Sequence, residues 1–173
     1  MKCISVMLEF DGGEFMEEFM KWYEAVYPEL YRVAYYYMRN QQEAEDAVQD
    51  AVLIAYEKRH QLKDKEKFRS WMMTILVNRC KRRMKKWFRK EEDITELSLV
   101  EERNLVQEED FAMNSAVKQV FFQLEEEDRL IVGLSLFGGY KGEEIAEITG
   151  RNHSPVRSRY RRALQKMKKE LEV

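Results

Sequence analysis

The stretch that decides the fold reads Phe68-Arg-Ser-Trp-Met-Met-Thr-Ile-Leu-Val-Asn-Arg-Cys-Lys-Arg-Arg-Met-Lys-Lys-Trp-Phe-Arg-Lys90, and it carries two helical patterns at once. One is an apolar stripe at steps of three and four, which two arginines continue: Phe68, Trp71, Met72, Ile75, Leu76, Arg79, Arg83, Met84 and Trp87. Such a stripe is typical of a helix that lies on a hydrophobic core. The other stripe is polar and then basic: Ser70, Thr74, Asn78, Lys81 and Lys85. The stretch therefore predicts a helix that is packed by one side and cationic on the other.

Charge is strongly segregated along the 173 residues, although the net charge is only −2. From Lys67 to Lys90 there are ten Lys or Arg and no acid, and from Ile148 to Lys169 there are eight with no acid. The rest of the chain then holds 12 basic residues against all 32 acidic ones. Two basic blocks on an acidic background suit two separate polyanion-binding faces, and Asn78 is a side chain that can read a base edge. A solvated basic face is the simpler alternative for either block alone.

Composition predicts a cytoplasmic, all-α protein. Gly and Pro number only 7 and 2, while 45% of the residues are hydrophobic, which supports helical domains with real cores. We find no stretch long enough for membrane insertion and no signal-peptide pattern. Cys3 and Cys80 lack metal-ligand spacing, and His60 and His153 are isolated. No metal, cofactor or catalytic residue is therefore expected, and an enzyme is the least favoured class.

The acidic stretch 91–110 divides the chain. It holds nine acids against one Arg and has weak periodicity, which predicts a flexible linker. The predicted domains are residues 14–90 and 111–173, with residues 1–13 as a frayed lead-in. Before Phe68, helices are expected at Glu14 to about Tyr27, Pro28 to Met38 and Gln41 to about His60. Pro28 is placed in the first turn of a new helix, and Asn40 with Glu43 reads as a capping box.

The second domain ends in a helix-turn-helix pattern. Gly142 to Gly150 reads as a short helix closed by a glycine, and Ser154-Pro155 opens a second helix as its cap and first turn. The residues expected to face inward on that helix are Val156, Tyr160, Ala163, Leu164 and Met167. The outward or edge residues lie near the helix start, where major-groove readers place base contacts: Arg157, Ser158, Arg161 and Arg162.

Taken in this order, the motifs resemble those of the sigma-70 family of bacterial RNA polymerase sigma factors, in its extracytoplasmic-function (group IV) class. Glu45-Asp-Ala-Val-Gln-Asp50, followed by Ala51-Val-Leu-Ile-Ala-Tyr56, is similar to the core-binding segment of that family. Phe68-Arg-Ser-Trp71 through Ile75-Leu-Val-Asn78 is similar to its −10 segment. Tyr140-Lys-Gly-Glu-Glu-Ile-Ala-Glu147 with Val156-Arg-Ser-Arg159 is similar to its −35-reading helix-turn-helix. The resemblance covers roughly Phe15 to Leu171.

The resemblance implies two small helical domains joined by an acidic linker that threads the RNA channel of the polymerase. It also implies a non-catalytic subunit that brings bacterial core RNA polymerase to promoter DNA. The residues implied for core-polymerase binding, through the clamp helices of the largest subunit, are Asp46, Gln49 and Asp50. Those implied for the −10 element are Asn78 as a base reader and Lys81, Arg82 and Lys85 as phosphate contacts. Those implied for the −35 element are Ser154, Pro155, Arg157, Ser158, Arg161 and Arg162. An anti-sigma factor is a further expected partner.

Some residues depart from the family pattern. Thr149 and Arg151 stand where apolar residues are usual, Lys141 replaces a Ser or Thr cap, and Ser154 replaces a common Gly. These differences bear on the −35 sequence and on how strongly it is recognised. One alternative interpretation is a sigma factor of the clostridial toxin-regulator type. Two others are an autonomous helix-turn-helix regulator that binds duplex DNA without polymerase, and a protein-interaction module with no DNA role.

Overall fold

The computed structural model describes the backbone of residues 14–92 and 115–172 and the side chains of residues 16–86 and 115–172. All regular structure in these ranges is helical, which confirms the all-α prediction. In chain order the helices are α1 (Glu14–Met38), α2 (Gln41–Glu57), α3 (Phe68–Glu92), α4 (Ser115–Phe122), α5 (Glu126–Leu136), α6 (Gly142–Thr149) and α7 (His153–Leu171). Two 3₁₀ turns, Arg59–Gln61 and Lys65–Lys67, lead from α2 into α3. The predictions for residues 1–13, for the linker beyond Glu92 and for the side chain of Trp87 lie outside the described residues.

Helix α1 is continuous, so the predicted break at Pro28 is wrong. Proline removes the hydrogen bond that residue 28 would donate to the Glu24 carbonyl. Because Glu24 and Pro28 are both exposed, water can bind that carbonyl. The helix holds together because residues on both sides of the proline face the same core: Phe19, Tyr23, Leu30 and Val33. The helix ends instead before Arg39, whose φ of 59° lies in the left-handed region.

The N-terminal domain is a bundle of α1, α2 and α3. The buried face of α2 is rich in alanine, which lets its neighbours approach closely: Ala44, Ala47, Val48, Ala51, Val52 and Ala55. Asn40 caps this helix, since its side-chain oxygen accepts from the Glu43 N–H at 2.9 Å. At the start of α3, the ring of Phe68 packs edge-on against Phe19, with centroids 5.5 Å apart. The buried side of α3 is wider than the predicted stripe, because it also includes Met73, Val77 and Cys80.

The C-terminal domain contains the predicted helix-turn-helix, formed by α6 and α7. Gly150 closes α6 with a φ of 67°, the left-handed conformation that a helix end favours. Helix α7 begins at His153 with Asn152 as the preceding residue, so the prediction of Ser154 as the cap is wrong. Pro155 still fits in the first turn, because N–H groups there have no partner within the helix.

The apolar face of α7 is narrower than the sequence suggested. Val156, Ala163 and Met167 are buried at steps of seven and four, which keeps them on one line along the helix. Leu164 was predicted to face inward, but its side chain is 36% exposed. It follows Ala163 directly, so the helix turns it about 100° away from the buried line.

The two domains pack against each other and share a core, an arrangement that the sequence did not specify. Helix α1 lies on α5, and helix α3 lies on α6. Buried residues of the C-terminal domain that join the N-terminal core are Leu130, Ile131, Leu134, Tyr140, Ile145 and Ile148. In the other direction, Tyr36 of α1 is buried within the C-terminal domain. Its ring stacks on Phe137 at 4.0 Å with an interplanar angle of 10°.

We expect opposite effects from alanine at two glycines of the C-terminal domain. Gly150→Ala places a Cβ on a residue with a φ of 67°, so it should lower the free energy of unfolding by about 1 kcal/mol. Gly133 lies within α5, where a Cβ would meet Phe121 and Phe137 at 3.7 and 3.8 Å, which are ordinary contacts. Gly133→Ala should therefore raise the free energy of unfolding by about 0.5–1 kcal/mol. Denaturant titration measures both, and changes of the same sign would contradict this geometry.

Candidate nucleic-acid and protein interfaces

Helix α3 presents most of the predicted −10 residues on its outer side. We call these residues the basic face of α3: Asn78, Lys81, Arg82 and Lys85. Asn78, Arg82 and Lys85 are exposed and spaced by four and three residues, so they share one side of the helix. The other side is buried against α1 and α2. An amide that can read a base edge thus stands beside cations that can bind phosphates.

Lys81 differs from its neighbours because it reaches the C-terminal domain. Its Nζ donates to the Thr149 carbonyl at 3.4 Å, at the end of α6, where the helix dipole favours a cation. The pKa of Lys81 is lowered, first by burial and then by the charge of Arg151, while Glu127 and Glu126 oppose the shift. In this packing, Lys81 therefore belongs to the contact between the domains as well as to the basic face of α3.

The predicted polymerase contacts lie on α2 and are half-buried, and both acids among them pair with arginines of α3. We call them the docking strip: Asp46, Gln49 and Asp50. Arg83 of α3 pairs with Asp46 and with Asp50 at 2.9 Å each, and with Glu43 at 2.8 Å. Burial alone would lower the pKa of Arg83, but the hydrogen bond to Glu43 and the charges of the three carboxylates outweigh it and raise that pKa.

Sequence reasoning missed these ion pairs, because it counted Arg79 and Arg83 as a continuation of the apolar stripe. Arg79 pairs with Asp50 at 2.7 Å, so this carboxylate meets two guanidinium groups. A signal was available in the sequence. Two arginines four residues apart within an apolar stripe need half-buried acids as partners, and α2 offers acids on one face.

Helix α7 divides its arginines between two sides. Arg159 turns toward the start of α5, where its Nε donates to Asp128 at 2.8 Å and its Nη1 pairs with Glu127 at 3.0 Å. The predicted −35 residues are all exposed, and we call them the recognition face of α7: Ser154, Pro155, Arg157, Ser158, Arg161 and Arg162. Acids in the first turn of α5 thus bind one arginine and leave the others on a cationic surface that suits phosphates and base edges.

A buried arginine joins the two domains at the ends of two helices. Arg129 of α5 donates from Nε to the Tyr37 carbonyl at 3.1 Å and from Nη1 to the Leu124 carbonyl at 2.9 Å. Both carbonyls lie where helices end and leave such groups without helical partners. Burial, and then the charge of Arg39, lowers the pKa of Arg129. The Tyr37 hydroxyl donates to Glu126, and burial followed by that hydrogen bond raises the pKa of Tyr37.

A second polar junction connects the start of α3 with the turn between α5 and α6. Arg69 donates to the Glu29 carboxylate at 2.8 Å and to the Gly138 carbonyl, and its guanidinium lies 4.3 Å from the centre of the Tyr140 ring. Burial, and then Glu29, raises the pKa of Tyr140. Sequence reasoning had no signal for either junction, because each depends on how the domains pack.

Two further properties concern only the part of the chain that the structure describes. Its helices are all too short or too polar to cross a membrane. Its His, Cys, Asp and Glu side chains form no group that could hold a metal ion.

A helical bundle with an exposed cationic helix, joined to a helix-turn-helix with a basic recognition face, defines a two-domain DNA-binding protein. The family model of sigma-70 region 2 matches residues 22–89, and that of sigma-70 region 4 matches residues 116–167. RNA polymerase sigma factor SigV of Bacillus subtilis is 32% identical over 146 residues, covering 83% of this chain and 84% of SigV. The ECF RNA polymerase sigma factor SigX of the same organism is 21% identical over 169 residues, covering 91% and 85%. The chain belongs to the sigma-70 family of RNA polymerase sigma factors, in its extracytoplasmic-function class.

Two solved structures share the fold. One is the sigma factor RpoE in complex with the anti-sigma factor NepR from Bartonella quintana. It has a TM-score of 0.75 and 24% identity, covering 91% of this chain and 98% of RpoE. The other is CnrH in complex with the cytosolic domain of CnrY, with a TM-score of 0.66 and 17% identity, covering 98% and 95%. The predicted family and function are confirmed: this sigma factor binds core RNA polymerase and directs promoter-specific transcription initiation.

Proposed function

We propose that three surfaces divide the work of this sigma factor. The docking strip of α2 binds core polymerase, the basic face of α3 binds the −10 element, and the recognition face of α7 binds the −35 element. The observation that carries this proposal is the sorting of charge, with exposed cations on α3 and α7 and half-buried carboxylates on α2. The same proposal includes the domain boundaries 14–90 and 111–173, the linker 91–110 and action in the cytoplasm beside polymerase.

Reading both elements at once requires the domains to separate. The −10 and −35 positions are about 25 base pairs apart, which is roughly 85 Å at 3.4 Å per base pair. In the packed arrangement, Lys81 lies 3.4 Å from the Thr149 carbonyl. The residues from Thr149 to Arg157 span at most ~29 Å even when extended. The packed form therefore brings the two faces too close together. By length alone, residues 93–114 can reach about 75 Å, which covers the difference of roughly 56 Å between these two lengths.

An anti-sigma factor is the proposed regulator. In the solved structure of RpoE, the sigma factor is in complex with the anti-sigma factor NepR, and the superposition covers 91% of this chain with a TM-score of 0.75. Coverage of that extent includes both domains. A partner of this kind would bind the packed form of the chain and so oppose the separation that promoter reading requires.

Two variants on α3 test the assignment of the −10 surface. We expect Asn78→Ala to change the preference at one position of the −10 element, because an amide reads a base edge. Lys85→Ala should weaken all promoters alike, since a phosphate contact carries no sequence information. Run-off transcription with core polymerase on a panel of base-substituted promoters measures both. Equal losses on every template for Asn78→Ala would remove this residue as a base reader.

A gel-shift assay distinguishes a sigma factor from an autonomous regulator. The assay compares binding of the chain to promoter DNA with and without core polymerase. We expect specific binding only when polymerase is present. Tight specific binding by the chain alone would favour the autonomous regulator and leave the docking strip without a role.

A further inference from the structure

Helix α3 holds the carboxylates of α2 in fixed positions through a single side chain. Arg83 uses each of its three guanidinium nitrogens on a different carboxylate. Its Nε donates to Glu43 at 2.8 Å, its Nη2 to Asp46 at 2.9 Å and its Nη1 to Asp50 at 2.9 Å. The three acids occupy successive turns of α2, with spacings of three and four residues. The rigid fork of an arginine suits this task, whereas the single nitrogen of a lysine does not.

These carboxylates remain accessible to a partner although they are paired. The side chains of Glu43, Asp46 and Asp50 are 37%, 38% and 29% exposed, while Arg83 is 22% exposed. Together with Arg79, the group carries three negative and two positive charges. It therefore offers a partner an ordered row of acceptor oxygens whose net charge is only about −1.

We infer that Arg83 is a positioning residue for polymerase docking. It fixes the carboxylates of α2 at the spacing that a cationic helix of the polymerase meets, and it ties them to the helix that carries the basic face. This inference rests on the proposed function of the docking strip. Since each carboxylate is already ordered, a cationic partner loses less side-chain freedom when it binds.

A role for Arg83 in charge cancellation alone predicts the opposite change in affinity for polymerase, which makes the inference testable. If Arg83 served only to cancel charge, removing it would leave the carboxylates of α2 less neutralised and would strengthen binding to a cationic partner. If Arg83 positions the acids, its removal weakens binding in spite of the added negative charge.

The experiment measures the affinity of the fluorescently labelled full chain for core RNA polymerase, in the absence of DNA, at two salt concentrations. The variants are Arg83→Met, which keeps the length of the side chain, and Arg83→Lys, which keeps its charge. Lys86→Met is the matched control, because it removes one charge from an exposed position of the same helix. We expect both Arg83 variants to raise Kd at least tenfold, equivalent to about 1.4 kcal/mol, and the control to stay within about twofold.

Thermal unfolding of each variant checks that the affinities refer to folded protein. Tighter or unchanged binding by Arg83→Met would overturn the inference. So would wild-type binding by Arg83→Lys, because charge alone would then suffice. Failure of the wild-type chain to bind core polymerase would instead overturn the proposed function, so the two failures are distinguishable.

Discussion

Replacing Tyr36 with alanine is expected to separate the two domains without unfolding either of them. Tyr36 belongs to α1, yet its ring packs among rings of the C-terminal domain: Phe121, Phe122 and Phe137. Loss of a large buried aromatic side chain typically costs about 3–5 kcal/mol, or a factor of roughly 10² to several times 10³ in an equilibrium. Because the N-terminal core cluster does not include Tyr36, this loss falls on the interface between the domains.

Small-angle scattering measures this separation directly. A compact chain of 173 residues has a radius of gyration of about 16 Å. Separation on a linker of this length should raise the value by roughly 5–10 Å. Tyr27→Ala is the matched control, since Tyr27 lies on the same helix and is 41% exposed. An unchanged radius for Tyr36→Ala, together with a lower melting temperature, would mean that the tyrosine supports the fold rather than the packing of the domains.

The same variant should bind core polymerase more tightly than the wild-type chain. If polymerase binds only the separated form, the apparent affinity of the wild type is reduced by the fraction of chains in that form. Tyr36→Ala raises that fraction, so its Kd should fall by up to the ratio of packed to separated chains. A higher Kd would contradict the requirement for separation.

The double substitution Arg157→Ala with Arg161→Ala should abolish use of the −35 element. Each good bidentate pairing of an arginine with a base is worth about 1–3 kcal/mol, so two of them predict a loss of roughly 30-fold or more at promoters that depend on this element. If one of the arginines binds a phosphate instead, its removal should make the log–log salt slope shallower by about 0.9. Transcription assays at matched salt measure the loss of activity, and a salt series measures the slope.

Lys166→Ala is the control for this prediction. Lys166 is exposed on α7, more than three turns beyond the start of the helix at His153, and lies outside the recognition face. We expect a change of less than about threefold, since a single exposed charge beyond the groove contributes little. Equal losses in the control and in the double variant would mean that α7 acts only through its overall charge.

Periodicity predicted most of the helices, because burial of one face is a local property of the sequence. Gly150 predicted the turn of the helix-turn-helix, because the preference of glycine for the left-handed conformation at a helix end is also a local property. The break at Pro28 was predicted wrongly. A local rule counts the missing hydrogen bond, whereas the shared core on both sides of the proline outweighs it.

What the sequence could not provide depends on packing over long distances. The three tyrosines at positions 35, 36 and 37 have the same side chain, so the sequence does not show which ring enters the other domain. The packing of the two domains decides that it is Tyr36. Likewise, the pairing of Arg83 with the acids of α2 depends on how α2 and α3 cross. The acids of the docking strip were predicted as polymerase contacts, and the structure adds the arginines that order them.

The most direct test of the account is transcription by purified core polymerase on fragments of genomic DNA, with the chain present or absent and with start sites mapped. We expect the chain to bind the polymerase and to produce new start sites that share one sequence block near −10 and another near −35. The double variant of α7 should lose the sites that depend on the −35 block. If the chain fails to bind the polymerase, or binds without changing where transcription starts, the assignment of its surfaces is wrong.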